Sequence, residues 1–301
     1  MKTVMSGQKI SFLDRISSML YIFHAYRTGL FGDAKGEISF HKQLLEIFRA
    51  NVNIDINKAR ILDLGCGQTA VQTILFKADG ADVTGIDMEV PTYKMGIKTF
   101  MRVIRANGIE RAVKSLARHL LFDRRFFSEL FSGYGKSIPL NELDIRIMNA
   151  TDLSFPDNHF DFIYSAWTFE HIEDVPGAIR EINRVLKPSG IAWIGIHLFP
   201  SLSGGHHLDW AEPDKSLSDK VSPWDHLLDN KYPVNTYLNR YRLGDYREFF
   251  SRHMKLLNEK RTYEGESLLT AELEKMLQHK DYTREDLITR IVVFLCKKNN
   301  V

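Results

Sequence analysis

Cysteine is nearly absent from this chain. Its 301 residues include two, Cys66 and Cys296. They are too few and too far apart for a disulfide framework or a thiolate metal centre, so a reducing, cytoplasmic setting is expected. An excess of one charge is missing as well. Forty Lys and Arg stand against 38 Asp and Glu, and the net charge of +2 gives no global signal for nucleic acid. Long uncharged apolar runs are also missing. The stretch from Phe12 to Phe23 is interrupted by Asp14 and Arg15 and followed by His24 and Arg27, which argues against a signal peptide and a membrane span. No internal repeat or low-complexity segment stands out. What is left is the profile of an intracellular enzyme, one large domain with insertions or two small ones.

The informative run is Arg60-Ile-Leu-Asp-Leu-Gly-Cys-Gly-Gln-Thr69, followed by Val83-Thr-Gly-Ile-Asp87. It predicts a buried strand, a glycine turn, a helix and a second strand ending in an acid. This is a nucleotide-type cofactor site at the carboxyl edge of a parallel sheet. Gly65 and Gly67 allow a sharp turn and a close backbone approach to a ligand. Asp87, 20 residues beyond Gly67, is placed to accept ribose hydroxyls. The stretch Gly65 to Ala70 also passes for a dinucleotide fingerprint. Asp63 separates the two readings. A carboxylate before the first glycine repels a pyrophosphate but suits an ammonium or sulfonium group. Cys66 reads as a small residue in a tight turn.

The downstream segments follow in a fixed order. Asn149 to Asp161, with Asp152, Pro156 and Phe160-Asp161, leads into a strand at Phe162-Ile-Tyr-Ser-Ala166. Then come Phe169-Glu-His-Ile172, a helix through Ala178–Leu186, the turn Arg184-Val-Leu-Lys-Pro-Ser-Gly190 and a strand at Ile191–Ile196. With the first run, these segments resemble class I S-adenosylmethionine-dependent methyltransferases over residues 59–197, and again from 243 to 298. Thr69 departs from the resembled pattern, which often has a third glycine there. The resemblance implies an α/β fold: a doubly wound, mostly parallel seven-stranded sheet, Rossmann-like, with an antiparallel edge pair. It divides the chain into a helical N-terminal extension (1–58), broken near Gly29 and Gly32, and a methyltransferase domain (59–301) with insertions at about 91–146 and 198–241. Strands are expected at Met254–Tyr263 and Leu287–Leu295, with a helix over Leu268–His279 between them.

The resemblance also implies the cofactor, S-adenosyl-L-methionine, and roles at its site. Asp63, Gly65 and Gly67 would line the methionine end. Asp87, with Met88 beside it, would hold the ribose. Asp152 and Leu153 would meet the adenine, and Ser165 and Ala166 the sulfonium. Asp152 also reads as a turn cap, and Asp161 as a residue that fixes the turn before its strand.

Methyl transfer to a hydroxyl needs a base, and histidine titrates in the useful range. His207 and His206, in the glycine-rich loop Leu202-Ser-Gly-Gly-His-His-Leu-Asp-Trp210, come first, with His171 beside them; His197 and His226 complete the candidates. Glu170-His171 alone does not make a metal site, the spacing of His206, His207 and Asp209 is not diagnostic, and no metal is expected. The 198–241 insertion carries Trp210, Trp224, Tyr232, Tyr237 and Tyr241 beside Asp209, Glu212, Asp225 and His226. That mixture suits a sugar, stacked on rings and bonded by carboxylates, and this stretch is similar to bacterial methyltransferases associated with surface polysaccharide. Packing of the aromatics onto the core is the competing reading. The 91–146 insertion mixes Lys94, Lys98, Arg102, Arg105, Arg111, Lys114, Arg118, Arg124 and Arg125 with apolar residues. It reads either as a solvated helical face or as a peripheral contact with anionic lipid or a phosphate-bearing acceptor.

The expected function is therefore O-methylation of a sugar or other small-molecule hydroxyl, without nucleic acid. The alternatives are O-, N- or C-methylation of a quinone, lipid or natural product; a nicotinamide-dependent oxidoreductase; and a cofactor-binding partner protein without activity.

Overall fold

The computed structural model describes residues 33–136, 140, 142–214 and 217–299. The expected break at Gly29 and Gly32 and the stretch from Phe12 to Phe23 lie outside the described residues. Strand β1 (Arg60–Leu64) and strand β4 (Phe160–Ala166) are buried almost end to end, as strands covered on both faces must be. They are the centre of a seven-stranded sheet. Strand β2 (Asp82–Asp87) and strand β3 (Asp144–Ile147) extend it on one side, and β5 (Leu186–His197) extends it on the other, all in parallel. Strand β7 (Thr289–Lys298) runs antiparallel between β5 and β6 (Met254–Tyr263), giving the order β3-β2-β1-β4-β5-β7-β6. The doubly wound, mostly parallel sheet with an antiparallel edge pair is the one expected. Because the winding changes direction between β1 and β4, a crevice opens at the carboxyl ends of those two strands.

Alternate residues of the sheet serve two cores. Ile61, Phe162 and Trp193 face helix α1 (Ala34–Asn51), which presents Leu44, Leu45 and Phe48 to them. Asp33 caps α1 by accepting the Gly36 N–H at 2.7 Å. Helix α2 (Val71–Ala78) lies beside it, tied by the buried His41, whose ring nitrogens lie 3.0 Å from Gln72 Oε1 and 2.8 Å from Asp79 Oδ2. Leu62, Ile163 and Ile194 face the other way, toward helix α6 (Val175–Val185) and helix α7 (Leu243–His253). Each such large side chain contributes about 1.5–3 kcal/mol when fully buried.

Several boundaries differ from the sequence reading: strand β5 begins at Leu186 and takes in the expected turn Lys187 to Gly190. Strand β3 starts at Asp144, inside the stretch assigned to the first insertion. It is a short, largely exposed edge strand, Asp-Ile-Arg-Ile, whose polar residues bond each other and Thr84, so no apolar run marks it. Leu287 and Ile288 belong to helix α9 (Arg284–Ile288), not to the closing strand. A capping box between Thr283 and Asp286 starts that helix and holds it. Between β6 and α9 runs helix α8 (Ala271–Gln278).

The first insertion folds as helix α3 (Ile97–Asn107), helix α4 (Ile109–Arg118), a π-helical turn (His119–Asp123) and helix α5 (Arg124–Tyr134). The second is built from turns around a small apolar cluster containing Trp210, Trp224 and Leu227, to which Leu277 and Leu287 also belong. Among the described residues, no helix is long and apolar enough to cross a membrane.

Candidate functional site

The turn after β1 is shaped by its two glycines in different ways. Gly65 has φ of +80°, and a Cβ there would stand 2.0 Å from the Thr168 side chain. Gly67 has φ of +68° with nothing within 4 Å of a would-be Cβ. Gly65 is therefore needed for packing against the end of β4, and Gly67 leaves open space where a ligand can meet the backbone. Asp87 closes the turn. Its Oδ2 accepts the Gly67 N–H and its Oδ1 the Glu89 N–H, both at 2.8 Å. Burial raises its pKa above the usual carboxylate value, and these backbone bonds oppose the shift. A carboxylate so fixed keeps lone pairs for two hydroxyls.

Asp63 is buried and accepts the Thr73 hydroxyl at 2.7 Å. Burial pushes its pKa up to about 7, so a cation placed beside it would be held by the charge it restores. Cys66 is pushed well above its ordinary thiol value by burial and the nearby acids, which leaves it poorly suited as a nucleophile.

The remaining expected cofactor residues are unevenly placed. Met88 is exposed, and Asp152 is exposed in a turn whose N–H donates to the Asn149 carbonyl. Leu153 is buried, and its N–H already donates to Glu181 Oε2 at 2.8 Å, so only the apolar side of that residue is available to a ring. Ser165 is fully buried with an unpartnered hydroxyl, and Ala166 is half-buried at the strand end.

Sequence reasoning missed three residues around this turn. Arg118, from the first insertion, donates to Gln68 Oε1 at 2.9 Å and to the Thr92 hydroxyl at 2.7 Å, fastening the insertion to the glycine turn. Gln68 accepts the Thr92 and Tyr93 N–H groups on its carbonyl. Trp167, at φ of +56°, stands open to solvent beyond β4. A left-handed tryptophan is the one signal among these that strand-end position could have flagged.

The histidine candidates divide. His206, in left-handed backbone at φ of +55°, stacks on His197 with ring centroids 5.0 Å apart and meets His171 edge-on at 5.2 Å. His207 does not join them. Its Nδ1 accepts the Asp209 N–H at 3.2 Å and its ring packs edge-on against Tyr232, so local capping has claimed it. His226 is held by the Phe199 carbonyl at 2.9 Å. Burial lowers the pKa of His206 and of His226 to about 4 and holds His197 well below the ordinary value. His171 is exposed, and its Nδ1 donates to the Tyr237 carbonyl at 2.9 Å. That bond fixes the proton on Nδ1 and leaves Nε2 free to accept one.

Glu170, close to His197 and His206, is 1% exposed. Burial raises its pKa to about 8. The expectation of no metal site weighed the Glu170-His171 pair and the His206, His207 and Asp209 cluster separately. The fold adds His197 and His206 to Glu170, with one donor atom from each lying within 4.8 Å of the others.

The second insertion departs from the sugar-platform reading. Trp210 and Trp224 are buried, and their indole N–H groups donate to the Val221 and Pro200 carbonyls. Asp209 accepts the Ser218 hydroxyl, Asp225 accepts the Tyr232 N–H, and Glu212 lies 3.7 Å from Arg290. Of the aromatic residues named for stacking, Tyr237 is the one that is open. The competing reading, packing, describes the two tryptophans.

Residues 128–194 match a family model described as a methyltransferase domain. Among curated proteins, the chain is 27% identical over 122 residues to the mitochondrial arginine-hydroxylase NDUFAF5 of Danio rerio, covering 38% of each chain. It is 42% identical over 48 residues to a demethylmenaquinone methyltransferase of Symbiobacterium thermophilum, covering 16% of this chain and 19% of that one. It is 52% identical over 51 residues to the ubiquinone/menaquinone biosynthesis C-methyltransferase UbiE of Shewanella sp. strain W3-18-1, covering 17% and 20%. The chain thus spans about two fifths or less of the length of these relatives. A solved structure of an S-adenosylmethionine dependent methyltransferase from Mesorhizobium loti is 14% identical, covering 84% of this chain and 96% of that one, with a TM-score of 0.45.

Proposed function

We propose that this chain, a class I S-adenosylmethionine-dependent methyltransferase, transfers a methyl group to a hydroxyl of an amphipathic small molecule of the quinol, phenol or lipid kind. The observation that carries the cofactor reading is the pairing of Asp87 with the open turn at Gly67. It combines a fixed hydroxyl-binding carboxylate with room for a ligand against the backbone. When bound, S-adenosylmethionine supplies an electrophilic methyl group on a sulfonium. Asp63 would balance positive charge at the methionine end, Asp87 would hold the ribose, and Asp152 would read the adenine edge.

The protein's remaining work is to position the acceptor and accept its proton. His171 is the base we favour. Its tautomer is set by Tyr237, its Nε2 carries a lone pair, and it is exposed beyond the end of β4. His206 is a poorer base because burial lowers its affinity for the proton it would take.

The acceptor class rests on two observations. The residues expected to stack and bind a sugar are mostly used in packing, as described above. The first insertion, in contrast, leaves Ile97, Met101, Ile109, Val113, Leu120 and Leu121 exposed among its basic residues. Such a face suits an amphipathic acceptor or the lipid surface that holds it. The short matches to quinone methyltransferases support the quinone class, although the UbiE relative is by name a C-methyltransferase.

The test is calorimetric titration of wild type and Asp87→Ala with S-adenosylmethionine, S-adenosylhomocysteine and NAD⁺, followed by S-adenosylhomocysteine release with phenol, quinol and monosaccharide panels. Binding of the sulfur compounds, weakened at least tenfold in the variant, with turnover on phenols or quinols, is expected. Binding of NAD⁺ alone would overturn the cofactor reading, and turnover on sugars alone would overturn the acceptor reading.

A further inference from the structure

Glu170 presents an unusual combination. It is 1% exposed, and both carboxylate oxygens are buried without a hydrogen-bond partner. His206 Nε2 is buried and unpartnered as well. A buried polar atom left unsatisfied is costly, and more so if charged, so unpartnered atoms on two neighbouring residues call for a ligand. Donor atoms of Glu170, His197 and His206 lie within 4.8 Å of one another. Donors around a single ion, each at about 2.0–2.2 Å, require only a small inward movement from that arrangement.

The surroundings hold these three side chains in place. The Ser203 hydroxyl lies 2.8 Å from His197 Nε2 and donates to Glu264, which also accepts the Ser203 N–H at 2.7 Å. Arg290 Nε stands 3.3 Å from the same carboxylate. Asn239 pins the turn that carries Glu170: its N–H donates to the Glu170 carbonyl at 2.9 Å, and its Nδ2 to the Phe169 and Ile172 carbonyls at 2.7 and 2.9 Å. Tyr246 donates to Asn239 Oδ1 at 3.1 Å. Orientation of the ligating rings and carboxylates by such a surrounding layer is what a metal site needs.

We propose that Glu170, His197 and His206 bind a first-row divalent transition metal ion of the zinc class at the carboxyl ends of β4 and β5. Two imidazoles and one carboxylate suit zinc, cobalt or iron(II) rather than magnesium or calcium, which take mostly oxygen. Three protein donors leave a position open for water or for an acceptor oxygen. Ion binding stands on the donor geometry alone; its use to orient the acceptor rests on the methyl-transfer reading.

The experiment uses the full chain, stripped with a chelator and dialysed. Zn²⁺ is titrated by calorimetry and Co²⁺ by visible absorption, on wild type, Glu170→Gln, His206→Gln and His207→Gln, with circular dichroism of each variant. S-adenosylhomocysteine is titrated into the same preparations. One ion per chain is expected. Affinity should fall at least tenfold in the Glu170 and His206 variants and stay unchanged in the His207 variant, with ligand-field bands for cobalt in wild type. His206 lies outside the helices and strands, so its variant is informative even if the Glu170 variant misfolds. Absence of stoichiometric binding to wild type, or wild-type affinity in His206→Gln, would overturn the site. If S-adenosylhomocysteine binds and Zn²⁺ does not, the metal site alone fails. If Zn²⁺ binds and S-adenosylhomocysteine does not, the methyltransferase reading alone fails.

Discussion

The two insertions both mix apolar with charged residues and meet opposite fates in the fold. The second hides its largest rings: Trp224 is 0% and Trp210 4% exposed. The first shows its aliphatic residues to solvent, Ile97 at 86% and Ile109 at 69%. The second lacks long helices and must make its own small core to hold turns together, which consumes its aromatics. The first consists of helices whose backbone bonds are satisfied internally, so its apolar face need not be buried for the segment to stand. Aromatic composition therefore marks packing here, and an aliphatic face on a self-sufficient helix marks the better candidate for contact with something else.

This contrast can be broken by substitution. Trp224→Ala should give the largest effect, a loss of about 3–5 kcal/mol seen as a lower chemical-denaturation midpoint. A shift near zero would mean that the second insertion does not rely on its buried ring. Next comes the tie between the first insertion and the glycine turn. Arg118→Met removes the bonds to Gln68 and Thr92 and should weaken S-adenosylhomocysteine binding roughly tenfold, about 1.4 kcal/mol. Unaltered affinity would make the insertion a bystander to the cofactor turn.

Asp63, on the sheet that carries both insertions, offers a pH test. Its folded pKa of about 7 stands above the ordinary 3.8, so the folded chain keeps a proton that the unfolded chain has lost. Stability from this group is full below pH 3.8 and declines as pH rises through 7. Relative to wild type, Asp63→Asn should therefore gain stability in the ligand-free protein between pH 4 and pH 8, by up to about 4 kcal/mol. A difference that does not grow with pH would show the carboxyl is not held protonated. The smallest stability change belongs to the double variant Ile109→Ser, Val113→Ser, within about 0.5 kcal/mol of wild type. Its co-sedimentation with anionic vesicles should nonetheless drop several-fold if the exposed face meets lipid. A vesicle-bound fraction equal to that of wild type would remove the lipid contact.

The sheet was legible because β1, β2, β4 and β5 are apolar runs separated by glycine turns, and because β6 and β7 are long. β3 was not, since an edge strand of alternating charge has no core to advertise. The glycine turn and its tie to Asp87 were legible because that geometry depends on local backbone and a fixed spacing. The histidines were less so. His206 and His207 are neighbours in sequence, yet left-handed backbone at one and a capping bond at the other send them to different partners. Glu170 and His197 come together through the pairing of β4 with β5, and that juxtaposition is invisible in a linear pattern. Arg118 reached Gln68 across an insertion whose path no motif specifies.

The placement of β7 has a consequence in time. His197 ends β5 opposite Ile291, and its surrounding network draws on Glu264 and Arg290. A growing chain emerging from the ribosome would make the cofactor turn early and leave the flank of β5 without its neighbour until the far later β7 arrives. That flank would be an open template for wrong pairing during synthesis. The histidine–glutamate pocket would be the last part of the machinery to mature.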